Sequence, residues 1–355
     1  MKLFEKLTDA RAVLLAVSGG PDSTAMMHLA AAWAAGGGRP AVAVASVDHG
    51  LQPGSDVIAH HVLAAAARLG LPGRVLTWTG PKPERAIQER AREARYRMLQ
   101  AYADEIGASH IVTAHTLDDQ AETLMFRMAR GTGLTGLRGM APFSRRNGVA
   151  YARPFLATPK AELVALCRQN DWFFVEDPAN RNHVFARARW RALLPALAAE
   201  GLTPTRLGHL SERVARADEA LETWSRQTEA VVTQSRENDA RHFDFTRLAR
   251  EPEEIILRVL LRALADLNGK RPVRLERLER LVQELLRHRA LQKALRRTLH
   301  GCDVTLARDG RLALRQESPR QRGMSAAPNS RLDGSSEASG QNHRIEVDPR
   351  GGNPE

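Results

Sequence analysis

Residues Ala12 to Val17 form an unbroken apolar run that stops at Ser18-Gly19-Gly20-Pro21-Asp22-Ser23, and apolar residues return at helical spacing from Thr24 to about Ala35. The run predicts a short buried strand, and the segment beyond it a helix beginning near Asp22. Between them, Gly19 and Gly20 can take positive φ and bring backbone N–H groups close to an anion. The first turn of the helix adds its unpaired N–H groups and the positive end of its dipole. Strand, glycine turn and helix together have the geometry of a phosphate cradle, although the same residues would also serve as an ordinary Gly-Pro turn.

The loop carries no lysine, which excludes the G-x-x-x-x-G-K-[ST] phosphate loop, and no third glycine at the spacing of the dinucleotide fingerprint. Its odd member is Asp22. A carboxylate beside a phosphate is repelled unless a cation such as Mg²⁺ or a substrate amine lies between them. The expectation is a nucleoside triphosphate with a metal, or a cationic co-substrate, at this loop.

Downstream, apolar runs alternate with helical patterns. Strands are predicted at Ala41 to Val47, Arg74 to Thr79 and His110 to His115, and helices at Ser55 to Leu69, Pro83 to Ile106 and Asp118 to Arg130. That alternation predicts βαβ units and a parallel sheet. Ligands of such sheets collect at the carboxyl ends of the strands, where three polar clusters are expected to converge: Ser18 to Ser23, Asp48-His49, and His115 to Asp119.

The segment Thr116 to Gly131 opens with Asp118 and Asp119 and closes with Arg127, Arg130 and Gly131. Plain helix capping accounts for that charge order. It does not account for so many ionisable groups at one strand exit. Asp118, Asp119 and Glu122 share a helix face, with His115 before them, a set able to position Mg²⁺, hold an amine or take a proton. On the preceding helix Arg92 and Arg95 share a face and Arg97 points elsewhere. Most of these arginines suit a solvated surface laced by Glu89 and Glu93, and one or two could bind phosphate. The glycine-rich loop Gly131 to Met140 suits a flap. A helix is predicted from Thr158-Pro159 to about Asn170, a strand over Trp172 to Val175, and a helix over Val184 to Ala199 with Arg187 and Arg191 on one face.

From about Gly201 the pattern becomes helical, over Leu207 to Val232, Pro252 to Leu267 and Leu275 to Leu286, and ends in a hairpin from Thr298 to Arg315 around Asp309-Gly310. From Ser318 apolar periodicity stops, and a disordered tail is expected. The divisions are 1–200, 201–317 and 318–355. The 355 residues carry a formal net charge of +11, which favours a polyanionic partner, nucleic acid first. The two cysteines, Cys167 and Cys302, lack any metal or dithiol spacing. With no apolar run near the roughly 20 residues of a membrane span and no signal-peptide pattern, a cytoplasmic, non-membrane protein is expected.

The motif Ser18 to Ser23 resembles the S-G-G-x-D-S signature of the PP-loop ATP pyrophosphatases. With Asp48-His49-Gly50-Leu51, Arg92 to Arg97, Ala114-His115, Asp118 to Thr123, Arg127 to Gly131 through Gly139-Met140, and Glu176 to Asn180 with Arg187, the chain resembles the tRNA(Ile)-lysidine synthase family. The resemblance implies an α/β fold, a Rossmann-type parallel-sheet PP-loop domain of the adenine nucleotide α-hydrolase-like kind followed by a smaller, mostly helical domain. It implies ATP and Mg²⁺, free L-lysine, and an isoleucine tRNA with a CAU anticodon. ATP would adenylate O2 of the wobble cytosine, and the lysine ε-amine would then displace AMP at C2. By this carry-over Ser18, Gly19, Gly20, Pro21, Asp22, Ser23, Asp48 and His49 bind ATP. Asp22, Arg95, His115, Asp119 and Glu122 are catalytic, and Asp22 and Asp119 flank Mg²⁺ or the lysine amine. Arg92, Arg127, Arg130 and Arg187 bind tRNA or the adenylate. A homodimer is expected by analogy alone. Two departures stand out. His115 is followed by Thr116 where many members have a second histidine, and a further C-terminal domain common in the family is not expected. The competing readings are a tRNA-thiolating PP-loop enzyme and a non-catalytic RNA-binding protein.

Overall fold

A computed structural model of the chain describes residues 2–51, 54–80, 82, 87–146, 148–175, 186–269 and 273–317. A 3₁₀ turn over Lys2–Leu7 precedes β1 (Ala12–Ala16), α1 (Pro21–Ala34), β2 (Ala41–Asp48), α2 (Ser55–Arg68), β3 (Gly73–Thr77), α3 (Ile87–Glu105), β4 (His110–Thr113) and α4 (Leu117–Met128). A short helix, α5 (Leu134–Leu137), and a hairpin, β5 (Phe143–Arg146) and β6 (Val149–Ala152), lead to α6 (Lys160–Gln169) and α7 (Ala186–Ala199). The sheet order is β3-β2-β1-β4-β6-β5; all neighbours pair in parallel except β5, which returns antiparallel to β6.

Strands buried on both faces need apolar residues at every position, and β1 supplies them. Val13 and Leu15 point into a core shared with Met26, Met27 and Trp33 of α1, Val62 of α2 and Leu163 of α6. Leu14 points the other way, into a core with Tyr96, Leu99 and Tyr102 of α3 and Tyr151 of β6. Strand order reverses at β1. The chain moves outward through β2 and β3, then crosses back to β4 on the other side of β1. The exits of β2, β1 and β4 therefore lie side by side, as the alternation predicted, at the switch point where open α/β sheets bind ligands.

The second half contains more sheet than its periodicity suggests. The long helix α8 (Pro204–Val232) is followed by β7 (Thr233–Arg236), β8 (Ala240–Asp244), α9 (Phe245–Leu248), α10 (Glu253–Leu267), α11 (Leu275–Ala290), β9 (Leu295–Leu299), β10 (Cys302–Leu306) and β11 (Arg311–Gln316). The predicted hairpin belongs to a five-stranded antiparallel sheet ordered β7-β8-β11-β10-β9. The run read as one strand across Thr298 to Leu306 turns back at His300-Gly301, both in the left-handed region, with φ of 56° and 68°. β7 escapes a pattern reading because its burial is one-sided and weak, with three of its four residues exposed. Trp172 to Val175 is not a strand. It runs beside the phosphate loop and donates one backbone bond, from Val175 N to Gly19 O at 2.9 Å.

The apolar stripes of α10 and α11 close a separate core against this second sheet. The two halves are joined by α8, whose Leu207 packs on Ala121 and Leu124 of α4. Gly208 makes that approach possible, since a Cβ there would sit 2.5 Å from Leu117 Cδ1. Residues Met1–Gln316 form one compact unit, within which the expected divide at 200/201 falls between α7 and α8. No described helix is long and apolar enough to cross a membrane.

Candidate active site

The phosphate loop is held from within. Ser23 Oγ donates to Gly20 O at 3.0 Å and accepts from Ser18 N at 3.1 Å, and the Ser18 hydroxyl lies 3.3 Å from it. Gly19 adopts φ +84°, and a Cβ there would meet Ile58 Cγ2 at 2.7 Å, so no other residue fits. Gly20 is the N-cap of α1 and offers no side-chain cap, and Pro21 follows inside the first turn. The helix entrance thus keeps backbone N–H groups for an anion.

Asp22 stands in that first turn. Its Oδ2 lies 2.5 Å from Lys160 Nζ, and its Oδ1 is buried without a hydrogen-bond partner. Burial raises the carboxyl above its usual range, Lys160 opposes the shift, and Asp119 and Asp118 reinforce it. Asp22 from β1's exit and the aspartates from β4's exit therefore face one acidic space. Asp119 forms a capping box with Thr116: its Oδ2 accepts from Thr116 N at 2.8 Å and from Thr116 Oγ1 at 3.0 Å. Asp118 Oδ2 caps α6 instead, accepting from Lys160 N at 2.7 Å. Capping thus explains much of the aspartate pair, and it also ties the entrance of α4 to that of α6.

Glu122, one turn on, is 3% exposed and accepts from Arg191 Nε at 2.7 Å. The guanidinium of Arg191 loses hydration on burial but is held by Glu122, Asp119 and Asp22. Among the described residues, Arg191 and Lys160 are thus cations over this acidic space.

His115 Nδ1 lies 2.8 Å from Thr113 Oγ1. Burial pushes its pKa down to about 4; Asp119 resists, and Arg153, Arg95 and Arg92 push further. The imidazole is neutral at pH 7. His49 is also lowered, by burial and then by Arg95, with its Nδ1 buried and unpartnered and its ring edge-on to Trp78. Arg95 therefore sits between the exits of β2 and β4. Asp48 is spent on structure: its Oδ1 takes Ser55 Oγ at 2.6 Å and Gly50 N at 2.8 Å, closing the β2–α2 connection. The Ser55 bond is the first cause of its lowered pKa.

The remaining expected residues separate. Arg92 reaches the Tyr96 ring, 5.0 Å from its centroid. Arg127 turns inward and donates to Gly136 O at 2.7 Å and Gly139 O at 3.0 Å, fastening the glycine loop. Arg130 is exposed over Phe126, 3.9 Å from the ring centroid, at a separate cavity of about 420 Å³. The side chain of Arg187 and residues 176–180 lie outside the described residues. Two side chains escaped the sequence reading. Gln120 clamps Met140 through both its N and its O, at 2.7 and 3.0 Å. Lys160 was passed over as a helix start. The signal was there: a cation in the first turn opposes the helix dipole and needs another reason to be present.

Among the described residues no three His, Cys, Asp or Glu side chains form a metal cage. Mg²⁺ at a polyphosphate requires only one or two carboxylates beside phosphate oxygens and water, and the unpartnered Asp22 Oδ1 suits that role.

The family model described as a PP-loop domain matches residues 1–197. The tRNA(Ile)-lysidine synthase of Methylobacterium sp. (strain 4-46) is 49% identical over 317 residues, covering 88% of this chain and 91% of that protein. The tRNA(Ile)-lysidine synthase of Bradyrhizobium sp. (strain BTAi1) is 43% identical over 338 residues, covering 90% and 94%. Among solved structures, the U34-tRNA thiolase NcsA of Methanococcus maripaludis aligns with a TM-score of 0.52 at 15% identity, over 61% of this chain and 77% of that one, which is a likeness of fold. The chain belongs to the PP-loop proteins and, among them, to the tRNA(Ile)-lysidine synthase family of ATP-using, tRNA-modifying enzymes.

Proposed function

We propose that the chain joins free L-lysine to C2 of the wobble cytidine in an isoleucine tRNA with a CAU anticodon, in two steps at one site. The observation that carries this reading is the acidic space of Asp22, Asp119 and Glu122 at the phosphate loop, with Lys160 and Arg191 over it. A site for phosphate alone has no use for so many carboxylates, whereas a site that also receives an amine does.

In the first step the α1 entrance and loop N–H groups bind the polyphosphate, and O2 of cytosine attacks the α-phosphorus as pyrophosphate leaves. Asp22 Oδ1 would hold Mg²⁺, which supplies charge neutralisation at the phosphates. Lys160 and Arg191 are placed to follow the charge on the departing pyrophosphate or on AMP. In the second step the lysine nitrogen bonds to C2, the C2–O bond breaks, and AMP carries the oxygen away. The ε-ammonium must first lose a proton. Asp119 is the acceptor in this reading, and neutral His115 offers a hydrogen bond rather than a charge. Arg95 binds the adenylate or an adjoining phosphate. Residues 201–317 hold the tRNA body, and a second copy of the chain is a partner by analogy. These reactants place the enzyme in the cytoplasm.

Asp119→Asn keeps an oxygen to accept from Thr116, so the fold is expected to persist while tRNA modification is lost. Full activity in that variant would sink the assignment. The reading as a whole is tested by labelled lysine, Mg-ATP and an unmodified CAU-anticodon transcript. ATP-dependent label that disappears when the wobble C is changed supports it. Pyrophosphate release without label means another nucleophile. Thiolation is disfavoured because Cys167 and Cys302 are buried in separate cores and cannot act together.

A further inference from the structure

The β5–β6 hairpin carries a charge arrangement that the reaction above leaves unused. In its register Arg146 lies opposite Val149, and Ser144 opposite Tyr151. Opposed residues share a face, so Arg146 is on the side of Val149 and Tyr151, which is the face packed on α3. Tyr151 meets Tyr96 of α3 edge-on at 5.4 Å, and the Arg146 guanidinium reaches the same Tyr96 ring, 4.8 Å from its centroid. Arg92 comes to that ring from α3 at 5.0 Å, and Arg95 at 5.6 Å. Beneath them, Arg153 is largely desolvated and donates to Ala141 O and Ser144 Oγ, which holds the hairpin in place.

Some arginines of this chain answer a carboxylate, as Arg74 does Glu105 and Arg258 does Asp218. Among the described residues Arg92, Arg146 and Arg153 form no such pair. Arg92 and Arg146 are exposed and converge on one ring, and an anion bridging them would relieve their mutual repulsion. The charges of Arg153, Arg95 and Arg92 bear on His115, so the α3 side of the cluster borders the site at the exit of β4. It belongs to the α3 face of the sheet, whereas α1, which opens the phosphate loop, packs on the opposite face.

We propose that Arg92 and Arg146, carried on the Tyr96 ring by α3 and the β5–β6 hairpin, form an anion site that holds a backbone phosphate of the RNA substrate next to the target nucleoside. The proposal rests on the tRNA reading above. Guanidinium forks suit a phosphate held in two directions, and the aromatic ring fixes their planes.

The test uses the full chain and the unmodified CAU-anticodon transcript, with Kd measured across a salt series, and ATP binding measured separately. Arg146→Gln and Arg92→Gln are each expected to weaken RNA binding about 5- to 10-fold and to reduce the slope of log K against log salt by about 0.7 to 0.9. ATP affinity is expected to stay within twofold. Arg145→Gln, on the opposite face of the same strand, is expected to leave RNA affinity near that of the unaltered chain, and Arg146→Lys to recover the slope. Unchanged RNA affinity and slope in Arg146→Gln and Arg92→Gln, with tight binding by the unaltered chain, would overturn the site while leaving the tRNA reading intact. Lost ATP affinity with unchanged RNA binding would assign the cluster to the nucleotide and overturn it as well. An unaltered chain that binds no tRNA would remove both.

Discussion

At the scale of single residues, the decisive contact is Lys160 on Asp22. A carboxylate at a phosphate loop is repulsive by itself, and this ion pair removes the repulsion until substrate arrives. Lys160 is 42% exposed along its side chain, so its loss leaves no hole in the core. Lys160→Gln is expected to lower tRNA-dependent pyrophosphate release about 100-fold with an unchanged far-ultraviolet spectrum, on the scale of losing one charge-stabilising group. His115 gives a second expectation. Its pKa is about 4 in the folded chain against an ordinary 6.5. Between those values the unfolded chain binds more protons, so the contribution of His115 to stability is complete above about pH 6.5 and is lost as pH falls toward 4. Subtracting the urea stability of His115→Gln from that of the unaltered chain is expected to leave a difference that rises with pH across that window; a flat difference would contradict it. The histidine itself was legible in the sequence. Its neutrality was not, because it depends on burial and on arginines that arrive from α3 and from the residue after β6.

At the scale of elements, α8 deserves comparison with the surface helices. Asp218, 1% exposed in α8, accepts from Arg258 of α10 at 2.7 Å, from Thr135 of α5 at 2.8 Å and from Arg138 after α5 at 3.1 Å. One carboxylate thus ties the glycine loop of the first half to α8 and α10 of the second, and Ser211 adds a bond to Arg138 O at 2.7 Å. The loop that composition suggested as a flap is pinned by Arg127, Gln120 and Asp218. Arg258→Ala leaves Asp218 buried with part of its compensation gone and is expected to cost about 3 kcal/mol in urea unfolding. Arg74→Ala, which breaks an exposed pair with Glu105, is expected to leave the unfolding midpoint almost unchanged. Helices and parallel strands were readable because burial on one stripe or on both faces imposes a clear period. The β5–β6 hairpin and the β7–β8 pair were not, since β5 and β7 are four-residue, largely exposed strands that carry no period of their own and form by pairing, and buried β6 is only four residues long.

At the scale of the whole molecule, two sheets and the cores packed on them are combined in one body through α8 and its buried ions. The net charge of +11 is spread over that body. Some of it is answered locally, as in the pairs of Arg226, Arg236 and Arg262 with Glu222 and Glu229 across α8, β7 and α10. Net charge therefore suggests a polyanionic partner without saying where it binds. The proposed location comes from the convergence of Arg92 and Arg146 on the Tyr96 ring, which only the tertiary structure brings about.

The sequence by itself determined the phosphate loop, the parallel sheet and the family, because a strand, a glycine turn and a helix entrance are local and each residue acts through its own backbone or its neighbours. Only the tertiary structure decided which charges meet. Asp22, Lys160, Asp119 and Arg191 come from four separate segments, and the hairpin and helix that meet at Tyr96 are two segments set apart in the chain. Electrostatic energy depends on distance in space and on burial, neither of which is written in the spacing of residues along the chain.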